Sequence, residues 1–229
     1  MAALTALALI CAAPSRAQIA ASASIVSNDI YRGISLSDGQ PALTVNLAWD
    51  DRSGAYAGIG ATGEVPAGYG PRLLGHTEYA GFARRAGVRA TWDVGVSHAE
   101  IVAYYDRPYR YSETEVYAGV RARDLSLYIY WSPHYYRPGV HALYLDLSAS
   151  RRLAPRLRLF GHVGLLSPSG GPGDADARRA QVDLRAGVAA EFTGGELDLT
   201  ASAARPGEDY LGGSTRMRNA LTLGASFFF

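Results

Sequence analysis

The chain of 229 residues has one cysteine, no lysine, and no apolar run long enough for a spanning helix outside its N-terminus. The cysteine, Cys11, sits in an N-terminal apolar stretch. A chain processed after that stretch has no thiol for a disulfide, a thiolate metal site or a nucleophile. A membrane helix needs ~20 consecutive apolar residues, so if this chain crosses a membrane it does so as strands. Charge of one sign is also missing: 22 basic residues stand against 21 acidic ones, a net charge of +1. The broad basic field of a nucleic-acid binder is therefore absent. All basic residues are arginine, which we read first as the codon bias of a GC-rich genome.

What is present begins with Ala2 to Ala13, an apolar stretch followed by Ser15-Arg16-Ala17. Small residues at alternate positions there read as a secretory cleavage site, giving a leader over residues 1–17 and a mature domain over 18–229. Ile10 stands before Cys11, where lipid attachment needs a small residue, so a lipoprotein is not expected. From about Ala20 onward, segments near ten residues long alternate apolar and polar positions, the period of a strand with one greasy and one wet face. Ala180 to Phe192 is typical: Val182, Leu184, Ala186 and Val188 share one face, and Asp183, Arg185 and Glu191 the other. The last segment puts Leu221, Leu223, Phe227 and Phe229 on one face and ends on phenylalanine. That arrangement looks like the signal by which outer-membrane barrels engage their assembly machinery.

The connections alternate short and long. Short turns are expected at residues 51–54, 84–87, 123–124, 153–156 and 193–196. Longer loops are expected near 33–40, 65–73, 100–112, 133–140, 167–178 and 205–218. Short turns on one side and long loops on the other are the outer-membrane pattern. The count gives an all-β fold, a closed antiparallel barrel of about twelve strands. Closure is physically required, because an unpaired backbone group in hydrocarbon costs several kcal/mol, so an open edge is not tolerated. Trp49, Trp92, Tyr104, Tyr105, Trp131, Tyr135 and Tyr136 lie near strand ends and are expected to form the interfacial girdles.

Between Ser27 and Ala42 the chain reads Tyr31-Arg32-Gly33-Ile34-Ser35, then Ser37-Asp38-Gly39, then Pro41-Ala42. This resembles the opening of the TorF family of porins, a Gcw-type conserved bacterial outer-membrane family. The resemblance implies an outer-membrane barrel with a pore function and carries no substrate with it. From the residues themselves, Ser37-Asp38-Gly39 is a turn with a left-handed glycine, and Pro41 leads into a strand. A structural role in fixing the first hairpin outweighs a ligand-binding one.

Barrel enzymes that act on lipid place His and Ser two apart on one strand, and no His-x-Ser occurs here. His76-x-Glu78 shares a face but lacks a third ligand, and we read it as a hydrogen-bonding pair in the lumen. The glycine-rich stretches lack the lysine and the strand-to-helix context of a phosphate loop. Projecting the alternation inward assigns to the lumen Arg89, Asp93, Glu115, Arg121, Arg123, Asp146, Arg158, His162, Asp183, Arg185, Glu191 and Asp198, with Arg32 from the first loop. These charges either line a water-filled channel or pair across it and plug it. The leading expectation is passive diffusion of small hydrophilic solutes, without cofactor, catalysis or nucleic acid, in contact with outer-membrane lipid and the barrel-assembly machinery. A non-conducting scaffold barrel comes second and a lipid-modifying barrel enzyme third.

Overall fold

The computed structural model describes residues 18–66, 68, 70–104, 108–136, 139–170, 180–205 and 219–229. The expected leader with Cys11, Tyr105 and most of the loops near 167–178 and 205–218 lie outside the described residues.

Among the described residues fourteen strands follow one another: β1 (Gln18–Val26), β2 (Ile30–Tyr31), β3 (Ile34–Ser35), β4 (Ala42–Asp50), β5 (Ala55–Glu64), β6 (Arg72–Ala86), β7 (Ala90–Tyr104), β8 (Pro108–Ala122), β9 (Leu125–Ser132), β10 (Val140–Ala154), β11 (Leu157–Gly170), β12 (Gln181–Phe192), β13 (Gly195–Arg205) and β14 (Asn219–Phe228). Twelve of them close into one antiparallel barrel, and β2 with β3 make a separate two-stranded hairpin. Closure is made by β1, which pairs with β14 (Ser22 opposite Phe228) and with β4 (Ser22 opposite Asn46). The Phe229 backbone exchanges hydrogen bonds with Ala21, 2.9 and 3.2 Å long, so the chain end seals the last seam.

The alternation sorts side chains to the two surfaces. Leu125, Leu127, Ile129 and Trp131 of β9 face out, and Tyr128, Tyr130 and Ser132 face in. The same division runs around the ring, so the outer surface is a belt of exposed Leu, Val, Ile and aromatic residues. Leu221, Leu223 and Phe227 belong to this belt, with Phe229 exposed at the end. Trp49, Trp92 and Trp131 lie on the outer surface.

Four expectations about local structure need correction. The turn expected at 84–87 is Gly87 to Arg89: β6 runs on through Arg84–Ala86, and Arg89 is an exposed turn residue rather than part of the lumen. Arg123 likewise lies in the β8–β9 turn, with its side chain almost fully exposed. The loop expected at 100–112 is mostly strand, since β7 continues to Tyr104 and β8 starts at Pro108. Tyr135 and Tyr136 are not girdle residues: both are buried inside the barrel.

Candidate functional site: a hairpin across the lumen

The connection from β1 to β4 folds into the barrel. Ile30 pairs with Ser35 and Tyr31 with Ile34, leaving Arg32 and Gly33 as a two-residue turn. Both have positive φ, 44° and 78°, which is the geometry of a type I′ hairpin. Glycine at the second position is required twice over. A Cβ there would lie 2.3 Å from the Cβ of Ala204 on β13 and 2.9 Å from that of Asp183 on β12.

The base of the hairpin is held by one amide. The Asn28 Oδ1 accepts from Ser35 Oγ (2.5 Å), from Ser37 Oγ (3.2 Å) and from the Gly39 backbone N–H (3.2 Å). Ser37 Oγ in turn accepts the Asp29 N–H at 2.9 Å. Asn28, Ser35 and Ser37 are buried, and their side chains are paired as buried polar groups generally are. The Ser-Asn-Asp and Ser-Asp-Gly triplets are therefore the internal frame of the lumen hairpin.

At its tip, Arg32 crosses to the far wall. Its Nη2 donates to both oxygens of Glu115 on β8, at 2.9 and 2.8 Å, and its Nη1 lies 3.7 Å from Glu113. The guanidinium stacks 4.1 Å over the Tyr144 ring, with the rings of Tyr31, Tyr130 and Tyr135 around it. Only 7% of the Arg32 side chain is exposed. Burial alone would lower its pKa, and Glu115, Tyr31 and Glu113 more than offset that, so the charge is retained. Glu113 accepts hydrogen bonds from Tyr31 (2.7 Å) and Tyr136 (2.5 Å). Burial raises both phenols well above their ordinary pKa, keeping them neutral donors. Leu36 of the hairpin packs with Tyr117, Tyr130, Tyr135, Tyr136 and Tyr144 into a core inside the barrel.

Below the hairpin, toward the short turns, the wall is polar. Asp93 accepts from Tyr56 (2.5 Å) and Tyr128 (2.8 Å). Arg158 pairs with Glu196 at 2.6 Å and Arg152 with Glu191 at 2.7 Å. Arg121, Arg185 and Asp198 share the inward parity of these residues. Midway up, His162 is clamped between Asp146 (3.2 Å at Nδ1) and Asp183 (2.9 Å at Nε2), and Tyr144 OH stands 3.0 Å from Asp183. Ser148 Oγ lies 3.1 Å from His162 Nδ1, a separation met in serine hydrolases. Both ring nitrogens, however, are engaged by carboxylates, and Ser148 lies within donating distance of Asp146 at 2.7 Å. No nitrogen is left to take a proton from the hydroxyl.

Glu113 and Glu196 are inward residues that the alternation did not single out. Glu113 shares parity with Glu115 but falls beside the loop expected at 100–112. Glu196 falls in the turn expected at 193–196. The His76–Glu78 pair is real, at 3.3 Å, but it lies on the outer surface: His76 is opposite Glu100 and Glu78 opposite His98, all on the face that carries Val94 and Val96.

The chain is thus a closed twelve-strand barrel with an apolar exterior, a polar interior and a loop folded into the lumen. Among solved structures, the "KdgM porin" matches with a TM-score of 0.55 at 9% identity, covering 92% of this chain and 99% of that chain. The "NanC porin" matches with a TM-score of 0.57 at 8% identity over the same shares. At such identity the likeness concerns the fold. The chain itself belongs to the Gcw_chp family, described as bacterial proteins of unknown function, whose model matches residues 11–209. No curated protein matches the sequence.

Proposed function

We propose that this chain is a channel of the bacterial outer membrane, through which small hydrophilic solutes diffuse down their gradient past a constriction made by residues 27–41. The observation that carries this reading is the inversion of surfaces, an apolar belt outside a closed wall and charged residues inside it. A closed ladder pairs its backbone groups strand to strand and suits hydrocarbon rather than water. The porin names of the structural neighbours and the resemblance to TorF-type porins support the same class. The short turns then face the periplasm and the long connections the outside.

A scaffold barrel is the second reading, favoured by one observation: the buried Arg32–Glu115 latch and the tyrosine core pack together inside the lumen. Planar-bilayer recordings separate the two. For a channel, the folded wild-type protein gives single-channel steps, and Glu113→Gln with Glu115→Gln, which releases Arg32, gives larger ones. Folded protein that shows no steps in either form is a scaffold.

A further inference from the structure

On β4, β9 and β12 the outward positions are apolar from end to end: on β12 they are Val182, Leu184, Ala186, Val188, Ala190 and Phe192. On β6 to β8 the belt stops early. Outward from Phe82 and Ala80 come Glu78 and His76; after Trp92, Val94 and Val96 come His98 and Glu100; after Val120, Ala118 and Val116 come Thr114, Ser112 and Arg110. His76 Nε2 is 3.3 Å from Glu78 and its Nδ1 is 3.9 Å from Glu100. Arg110 pairs with Glu100, and His98 Nδ1 is 2.8 Å from Thr114. The Arg110 side chain is 64% exposed.

Position says what lies beside this patch. A tilted strand climbs roughly 2.5 Å per residue along the barrel axis, so Glu100, ten residues above the start of β7, stands ~25 Å up, the height of an outer-membrane apolar band. His76, opposite it, and Arg110 near it are at headgroup depth, with Glu78 and His98 at the edge of the acyl chains. Ionisable side chains on a lipid-facing surface call for a partner. Both signs are present, which suits a ligand that is itself anionic and carries divalent cations.

We propose that the loop end of the outer face of β6–β8 is a docking site for the phosphorylated headgroup of an outer-leaflet glycolipid. Arg110, with a rigid fork of donors, and the imidazoles of His76 and His98 bind phosphate oxygens. Glu78 and Glu100 hold the divalent cations that neutralise adjacent phosphates, since hard cations take carboxylate and phosphate oxygens together. This site rests on the outer-membrane location but not on conduction, because it lies outside the lumen.

The test is native mass spectrometry of the folded full-length barrel with a diphosphorylated outer-leaflet glycolipid, its enzymatically dephosphorylated form, and Mg²⁺ or chelator. Wild type should retain the phosphorylated lipid about tenfold better than the other, as expected for a charge-assisted hydrogen bond lost. Arg110→Ala with His76→Ala should erase that preference. Glu78→Gln with Glu100→Gln should erase only the part that depends on Mg²⁺, and Arg205→Ala, outward on β13, should change nothing. Heat-dependent gel mobility checks that each variant is folded. Equal retention of the two lipids, or no effect of the Arg110 and His76 changes, overturns the proposal. A dimer mass that Arg110→Ala dissolves also overturns it, assigning the face to a second copy of the chain.

Discussion

Gly119 and Tyr128 show how single residues shape the inside of this barrel. A Cβ at Gly119 would lie 2.3 Å from the Tyr128 ring, and one at Gly95 would lie 2.4 Å from the Tyr117 hydroxyl. The inward glycines are the seats on which tyrosines from neighbouring strands lie flat against the wall, which explains why the sequence is rich in both. Gly119→Ala should therefore destabilise the barrel by about 1–3 kcal/mol, the range for forcing atoms into a packed site. Gly161→Ala, whose nearest neighbour is a backbone oxygen at 3.7 Å, should be neutral. Denaturant unfolding in lipid vesicles measures both. Equal effects would show that the tyrosines are not seated this way. Arg32 poses the opposite problem, a charge whose partners must remain. Removing one partner of a buried pair typically costs ~3–5 kcal/mol, so Glu115→Gln should strain the hairpin far more than Arg152→Gln, half-exposed at the turn end, strains the wall.

At the scale of the element, the hairpin over residues 27–41 is a self-framed unit held by Asn28 at its base and Arg32 at its tip. Its frame is separate from the barrel ladders, so it can loosen without unfolding the wall. Asn28→Ala removes the acceptor shared by Ser35, Ser37 and Gly39, and leaving such donors buried typically costs ~1–3 kcal/mol. The expected result is trypsin cleavage after Arg32 in the folded variant, with the wild type resistant and the heat-shifted mobility of both unchanged. Resistance in both would mean that the tyrosine core, not the amide frame, holds the hairpin. The resemblance seen at Tyr31 to Ala42 thus marks an element whose residues act on each other and on the opposite wall. Sequence alone reads Ser37-Asp38-Gly39 as a local turn and projects Arg32 into the lumen, without naming what it meets there.

For the whole molecule, closure and charge distribution decide behaviour. The seam between β1 and β14 is completed by the last residues of the chain. Deleting Phe227–Phe229 should abolish the heat-dependent mobility shift of a closed barrel, whereas Trp49→Ala, on the outer surface, should preserve it. In a conducting lumen, Arg121→Glu with Arg185→Glu turns two inward cations into anions, and the reversal potential in a salt gradient should shift toward cation selectivity. An unchanged potential would place the solute path away from those two residues.

The strand count, the existence of two opposite faces and the inward parity of Asp93, Glu115, Arg121, Asp146, Arg158, His162, Asp183, Arg185 and Asp198 were legible in the sequence. The reason is geometric: consecutive side chains on a strand point to opposite sides, so a period-two pattern fixes the faces before any partner is known. Only the tertiary structure decided that the segment 27–41 as a whole follows Arg32 inward and that Tyr135 and Tyr136 are core. It also brought His162 between Asp146 and Asp183, and placed His76 and Glu78 outside. Strand β6 has polar or aromatic residues on both parities, so its orientation is set by pairing with β7 and not by its own pattern. A loop has no period at all. Where it goes depends on the carboxylates that a closed wall presents to its one arginine, and those lie some eighty residues away along the chain.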